Sequence, residues 1–187
     1  MSAVPGTLMP SALRSPLRSV RLGRTGRLRR PRGRVGARVG LESGGQFTVF
    51  RDTSVVGGEA ERPAVLAVRF HLRLSCPQQR RMHRLFQLAC IVTTPFFAGL
   101  PGYRTKLWMY DERSGDYAGL YEWDGADRAG EYARGLVPIL RALSERDSVS
   151  YRVYAGERLE THLDEHAASP PGDRARSRGT QAVPGGA

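Results

Sequence analysis

The sequence predicts an α+β fold, a single antiparallel sheet with two helices packed on one of its faces. Three observations carry that reading. Residues 64–74 alternate between apolar and polar side chains, as in a strand buried on one side. Residues 101–125 read as a complete β-hairpin, with two aromatic and β-branched arms around the turn Asp111-Glu-Arg-Ser-Gly-Asp116. On either side of that hairpin lie segments with apolar residues at three- and four-residue spacing. A chain of 187 residues accommodates one ordinary domain with long tails.

The elements follow in order. Residues 46–56 are β-prone, with Phe47, Val49 and Val55 as apolar anchors before the breaker Gly57-Gly58, and make an added edge strand. In the next strand Leu66, Val68, Phe70, Leu72 and Leu74 share one face, and Val65, Ala67, Arg69, His71 and Arg73 the other. Pro77 suits the first turn of a helix, and residues 78–92 place Met82, Leu85, Phe86, Ala89, Cys90 and Val92 on one stripe. That helix should stop before Pro95. The longest apolar run, residues 85–100, is too short for a membrane span and reads as part of a buried amphipathic segment.

After the hairpin, residues 126–144 show helical periodicity through Ala129, Tyr132, Ala133, Leu136, Ile139, Leu140 and Leu143. Pro138 should kink this helix or split it in two. Residues 148–155 form the last strand, and residues 157–169 add a short helix. The order strand, helix, strand, strand, helix, strand is the βαββαβ pattern of a ferredoxin-like fold. The expected organisation is a disordered arm over residues 1–45, a domain over 46–163 and a disordered tail over 164–187.

Charge is unevenly placed. Residues 1–41 hold ten arginines and no carboxylate, whereas residues 42–169 carry 16 Lys plus Arg against 17 Asp plus Glu. The basic pI of about 10.7 therefore belongs to the tails, and the folded part lacks the net basic charge of a nucleic-acid binder. Three readings of the arm stay open: a nucleic-acid arm, a transit peptide, or an extension without function, such as an overcalled start in a GC-rich coding sequence. Arginine monotony, with Lys106 the one lysine of the chain, favours the last. Cys76 and Cys90 belong to no C-x-x-C pair, so a reduced, cytoplasmic setting is expected.

In such a fold the sheet face away from the helices needs attention. The expected side chains there are Val65, Ala67, Arg69 and His71 from one strand, and Lys106, Trp108 and Tyr110 from the next, with Leu107 and Met109 turned to the helices. That is too much aromatic surface for water, and a second copy of the chain would cover it.

Specific motifs lie on the same segments. The run Thr94-Pro-Phe-Phe-Ala-Gly-Leu-Pro-Gly-Tyr-Arg-Thr-Lys-Leu-Trp108, the strand Tyr117-Ala-Gly-Leu-Tyr-Glu-Trp-Asp-Gly125, Tyr132 and the closing Ser150-Tyr-Arg-Val-Tyr154 resemble the dimeric α+β barrel superfamily. Within it, they are similar to small monooxygenase-like proteins whose hairpin reads P-G-[FY]-x-x-K-x-W followed by G-x-Y-x-[WF]. The resemblance covers about residues 64–160. It implies a homodimer with sheets face to face and an apolar cavity for a small apolar or aromatic ligand. Members of that superfamily oxygenate polyketide-like aromatics without metal or flavin, degrade haem, isomerise lactones or have no assigned activity, so the fold does not choose the chemistry. No cofactor is implied.

Candidate chemistry rests on few residues. Arg69, His71 and Lys106, if they met on one face, would stabilise an enolate or carboxylate oxyanion, with His71 as acid or base. The plainer reading pairs them with Glu122 or Asp124, or leaves them in solvent. Trp108, Tyr121, Trp123 and Tyr132 would wall a planar ligand, or equally pack a dimer core. Glu122 is either a buried base or a solvated strand residue. His162 and His166 have metal-ligand spacing but suit a solvated terminal helix better. His71 and His83 are conceivable haem ligands with no supporting pattern, and His83 sits among Arg80, Arg81 and Arg84. Walker loops, nucleophile elbows, zinc patterns and dinucleotide fingerprints are missing from the sequence. The expected function is that of a cofactor-independent, monooxygenase-like or small-molecule-binding protein of secondary metabolism. The alternative is a non-catalytic dimeric binding or scaffold module. Nucleic acid enters only through the arm, and no membrane partner is expected.

Overall fold

The computed structural model describes residues 27–73, 88, 93–94 and 97–167. Its strands are β1 (Leu28–Arg29), β2 (Arg38–Gly40), β3 (Gln46–Val55), β4 (Pro63–Phe70), β5 (Tyr103–Tyr110), β6 (Tyr117–Asp124) and β7 (Ser150–Ala155). Helix α1 is Ala126–Leu143 and α2 is Leu159–Glu165. The expected helix over 78–92, with Cys76, Cys90 and His83, falls almost wholly outside the described residues. Helical backbone at Phe97 and Ala98 lies beyond the stop expected at Pro95.

All strands join one seven-stranded sheet of order β1-β3-β5-β6-β4-β7, with β2 also paired to β3. Every pairing is antiparallel. Reading only the four strands of the βαββαβ unit, the order β7-β4-β6-β5 is the ferredoxin-like one, with the fourth strand beside the first and the third between the first and second. The N-terminal strand expected at 46–56 is present as β3 on the β5 edge.

Helix α1 lies on one sheet face and buries Ala129, Ala133, Val137 and Leu140. Alanines at two of these positions keep the contact surface shallow and let the bulky rings of the sheet fill the layer. Pro138 neither splits nor ends this helix. Both Pro138 and Arg134, whose carbonyl loses its donor, face solvent, so water takes the missing hydrogen bond.

The opposite face departs from expectation. It holds a second core of Val39, Leu41, Phe47, Val49, Val65, Leu107, Met109, Ala118, Leu120 and Leu159. The chain itself closes this core: β2 with Leu41 covers one side, and α2 the other, through Leu159 and the partly buried Leu163. The arm expected to be unstructured up to residue 45 thus contributes two strands from Leu28 onward. Its arginines mask the apolar Val39 and Leu41, which are enough to bury a short strand. Arg34 fastens this region, at 3.1 Å from Asp52 on β3 and 2.9 Å from Glu160 on α2.

The face assignment of β5 is therefore corrected. Leu107 and Met109 belong to the second core, while Lys106 and Trp108 turn toward the helices. Because both faces of β5 are buried, its side chains are apolar on both sides and alternation carries no sign of direction. The exposed indole and phenol rings that called for a twin subunit are covered within one chain, which removes that reason for a second copy.

Leu159→Ala tests the closing role of α2. The side chain is 1% exposed, and its truncation should cost about 2–5 kcal/mol in urea unfolding. A loss well below ~1 kcal/mol would show that α2 does not seal the second core.

Candidate functional site

The sequence-derived site residues divide between the two sheet faces. On the helix side, Lys106 is paired across the strands with Tyr121 on β6 and flanked by Trp108 two residues on. Its Nζ lies 3.0 Å from the Trp108 ring centroid, 4.5 Å from that of Tyr121 and 4.6 Å from that of Phe97. Only 4% of Lys106 is exposed. Three ring faces thus supply negative quadrupole density to a buried ammonium, an attraction of about 2 kcal/mol or more when desolvated.

The rings continue outward as one wall. Tyr121 and Trp123 both contact Tyr132 of α1, with centroids 5.3 and 5.1 Å apart, and Tyr103 meets Trp123 edge-on at 5.8 Å. Gly119, opposite Trp108 on β6, makes room for this arrangement: a Cβ there would come within 2.9 Å of the Tyr121 ring. Tyr103 donates its hydroxyl proton to the Thr53 carbonyl at 2.7 Å. Burial pushes the Tyr103 phenol well above its ordinary range, and pushes Tyr132 up to about 12 despite a hydrogen bond with Tyr121. Both stay protonated at neutral pH. The indole nitrogen of Trp123 is buried with no hydrogen-bond partner among the described residues.

Trp108, Tyr121, Trp123 and Tyr132 are therefore brought together as the sequence suggested, but on the helix side and with Lys106 among them. Phe97 and Tyr103 complete the wall. Both lie in the run Thr94–Trp108 that carries the resemblance and could have been found from it.

Arg69 and His71 lie away from this wall, and the expected convergence with Lys106 does not occur. Both instead bind Asp116, the last residue of the hairpin turn. Arg69 donates from Nε and Nη2 to Asp116 Oδ2 at 2.9 and 2.6 Å, and His71 Nδ1 lies 2.7 Å from Asp116 Oδ1. The Nε2 side of His71 faces Glu145 at 3.8 Å. Backbone hydrogen bonds between Glu145 and His71, and between Arg73 and Leu143, tie the end of α1 to this corner. Burial pushes the Asp116 carboxyl up, but hydrogen bonds from His71 and Arg69 together outweigh it and hold the group below its usual range. The partners expected for these cations, Glu122 and Asp124, are engaged elsewhere. Asp124 pairs with Arg104 at 3.2 Å, and Glu122 Oε1 accepts a 3.5 Å hydrogen bond from the first backbone N–H of α2. Glu122 faces the second core side, away from Tyr121 and Trp123.

His162 is not a solvated histidine. It is 1% exposed, bonded through Nδ1 to Glu157 at 2.8 Å, and stacked on His166 with centroids 4.3 Å apart. His166 Nδ1 donates to the His162 carbonyl, so the two imidazoles hold the end of α2 together. Among the described residues no group of three or more His, Cys, Asp or Glu could hold a metal ion. No helix among them is long and apolar enough to cross a membrane.

No protein-family model and no curated protein matches the chain. Several solved structures are similar to it. One is an uncharacterised ferredoxin-fold protein related to antibiotic biosynthesis monooxygenases from Listeria monocytogenes 4b F2365, with 11% identity, 63% of this chain and 68% of that chain covered, and a TM-score of 0.43. A monooxygenase-like protein from Listeria innocua gives 11%, 63%, 68% and 0.42 for the same quantities. The haem-degrading enzyme LmHde of Listeria monocytogenes gives 12%, 67%, 86% and 0.43. The likeness is distant, and the fold assignment rests on the sheet order itself.

The Asp116 network predicts an acid dependence. A carboxyl held below its usual range adds stability above that range and loses it as pH falls through the depressed value. In Asp116→Asn this loss should vanish, so that urea midpoints fall less steeply below about pH 4 than in the wild type. Asp52 works in the opposite sense: burial raises its carboxyl against the offsetting effects of Ser54 and Arg34. Asp52→Asn should therefore leave the acid loss in place. Equal slopes in Asp116→Asn and wild type would refute the assignment.

Proposed function

We propose that the chain is a small-molecule-binding protein that holds a planar, anionic aromatic against the ring wall around Lys106. The observation that supports this reading is the buried ammonium itself. Burying a cation is costly unless it is matched by negative charge or electron-rich groups. Ring faces offset part of that cost, and a ligand phenolate or carboxylate oxygen would add negative charge beside the ammonium while the ligand plane stacks on Trp108 or Tyr121.

The same cluster favours binding over acid–base chemistry. Rings surround Lys106, and burial keeps the Tyr103 and Tyr132 phenols of the same wall protonated. The imidazole of the expected trio, His71, stands with its partner Asp116 at another corner of the fold. An oxygenase reading survives in a narrower form. Its substrate must enter already ionised and supply all four electrons itself: the carbanion form adds dioxygen as a C–O–O⁻ peroxide, then loses a proton from the same carbon as the O–O bond breaks, which leaves C=O and releases the other oxygen as water. Lys106 then serves only to stabilise the substrate anion and the charge that moves onto oxygen. A homodimer and a place in secondary metabolism belong to this reading as well, on the strength of the hairpin resemblance alone.

Titration with 1-hydroxy-2-naphthoate, followed by tryptophan fluorescence, tests the proposal. Lys106→Met keeps the length and apolar stem of the side chain and should weaken binding by about tenfold or more, the value of a charge-assisted hydrogen bond. Neutral 1-methoxynaphthalene should bind both proteins alike. If the naphthoate binds wild type and Lys106→Met equally, the site is not organised around the ammonium. Dioxygen uptake with the bound naphthoate would separate the oxygenase form from simple binding.

A further inference from the structure

A cavity of about 250 Å³ opens on the other side of the sheet, between the turn at Leu41–Ser43 and strands β4 and β7. It is smaller than the ~300–1,000 Å³ typical of sites for drug-sized ligands. Leu41 and Ala67 give it apolar surface, and Arg69, Arg152 and Tyr154 give it hydrogen-bond donors. Arg152 stands directly across from Ala67, and Tyr154 directly across from Val65, so both side chains lie on the face of the second core.

The two arginines have different roles. Arg69 is committed: Asp116 takes its Nε and Nη2, and its Nη1 donates to the carbonyls of Ser43 and Gly44. It pins the turn in place. Arg152 is paired with Glu42, the middle residue of the turn, in a pair whose side chains are 66% and 42% exposed. Tyr154 stands beside the same Glu42 carboxylate in the cavity lining, where burial and then Glu42 raise its phenol, and Arg152 lies 6.0 Å from the Tyr154 ring centroid. A guanidinium and a phenol thus flank one carboxylate at a small, partly apolar cavity. The turn that delivers it continues through Gly44 and Gly45, both at positive φ (86° and 94°), where other residues are strained.

We propose that this cavity is a receptor for a small monocarboxylate and that Glu42 is its built-in surrogate. The ligand carboxylate takes the place of Glu42 on Arg152 and Tyr154, and its apolar body rests on Leu41 and Ala67. The donor set matches a carboxylate better than a phosphate dianion, which needs more donors than one guanidinium and one phenol provide. Exposed ion pairs contribute little, so displacement of Glu42 opposes binding only weakly. The site is separate from the ring wall around Lys106 and does not rest on the function proposed there.

Benzoate is the probe, titrated into the full chain and followed by amide NMR shifts, with inorganic phosphate as a second arm. Shifts should centre on residues 41–45, 67–69 and 150–154. Glu42→Gln removes the competing charge and should tighten benzoate binding by up to about fivefold. Arg152→Met should abolish saturable binding, and Tyr154→Phe, which keeps the ring and loses only the hydroxyl, should weaken it. The proposal is overturned if Glu42→Gln leaves the affinity unchanged or lowers it, if Arg152→Met binds like wild type, if shifts centre elsewhere, or if phosphate binds more tightly than benzoate.

Discussion

One chain buries both faces of its own sheet, and the rest of the structure follows from that constraint. β5 and β6 are packed above and below, with rings on the helix side and aliphatic side chains on the other. A four-stranded βαββαβ unit has helices for only one face. The second face is closed by elements outside that unit, β2 with Leu41 from the N-terminal side and α2 from the C-terminal side. Arg34 links these closures by holding the buried Asp52 and the exposed Glu160 at once. Its value lies mainly with Asp52. Without the guanidinium, a carboxylate at 1% exposure keeps, among the described residues, Ser54 as its hydrogen-bond donor, and an underpaired buried charge is far more costly than an exposed pair is favourable.

The same double burial explains what the sequence could and could not reveal. From β3 onward the order of the described elements was legible, with the extra strand at 46–56, α1 and the short α2, because each has a boundary signal or a clear period. β4 also gave its faces correctly, since Arg69 marks one side as partly polar. β5 did not. Leu107 and Met109 are as apolar as Trp108, and the single charged residue of the central stretch, Lys106, lies on the side where a charge is least expected. Pattern reasoning places lysine toward water, and here three aromatic rings take the place of water.

The site was legible in parts. The four aromatic residues proposed as a wall do form one, because strands β5 and β6 pair in the register expected of a tight hairpin. Arg69 and His71 do act together, as residues two apart on one strand edge should. What the sequence concealed was their partner. Asp116 reads as turn chemistry, yet its side chain turns back from the hairpin to receive both the guanidinium and the imidazole. A turn residue's side chain is fixed by what lies beside the turn in space, and no local pattern carries that. Val39 and Leu41 were hidden in a similar way, as two apolar residues within an arginine-rich stretch whose composition as a whole argues against a core.

Placing the groups on separate faces changes the chemistry that is open to this chain. Arg69, His71 and Lys106 on one surface would have offered a base, two cations and a substrate cleft. Split by the sheet, they become two unlike environments: a desolvated cation among rings, and a hydrogen-bonded Arg–Asp–His corner whose charges neutralise one another. Proton transfer between them would have to pass through a hydrogen-bonded sheet layer, whose backbone donors and acceptors are already paired with one another. Each face must therefore act by itself. On the helix side the strongest available effect is electrostatic recognition of an aromatic anion in a low-dielectric setting. On the other side, beside the turn that Arg69 anchors, it is exchange of one carboxylate for another at Arg152. Neither requires a second copy of the chain to supply a missing group, and the exposed Ile139 and Leu143 of α1 are no more than the scattered apolar surface that folded proteins commonly show.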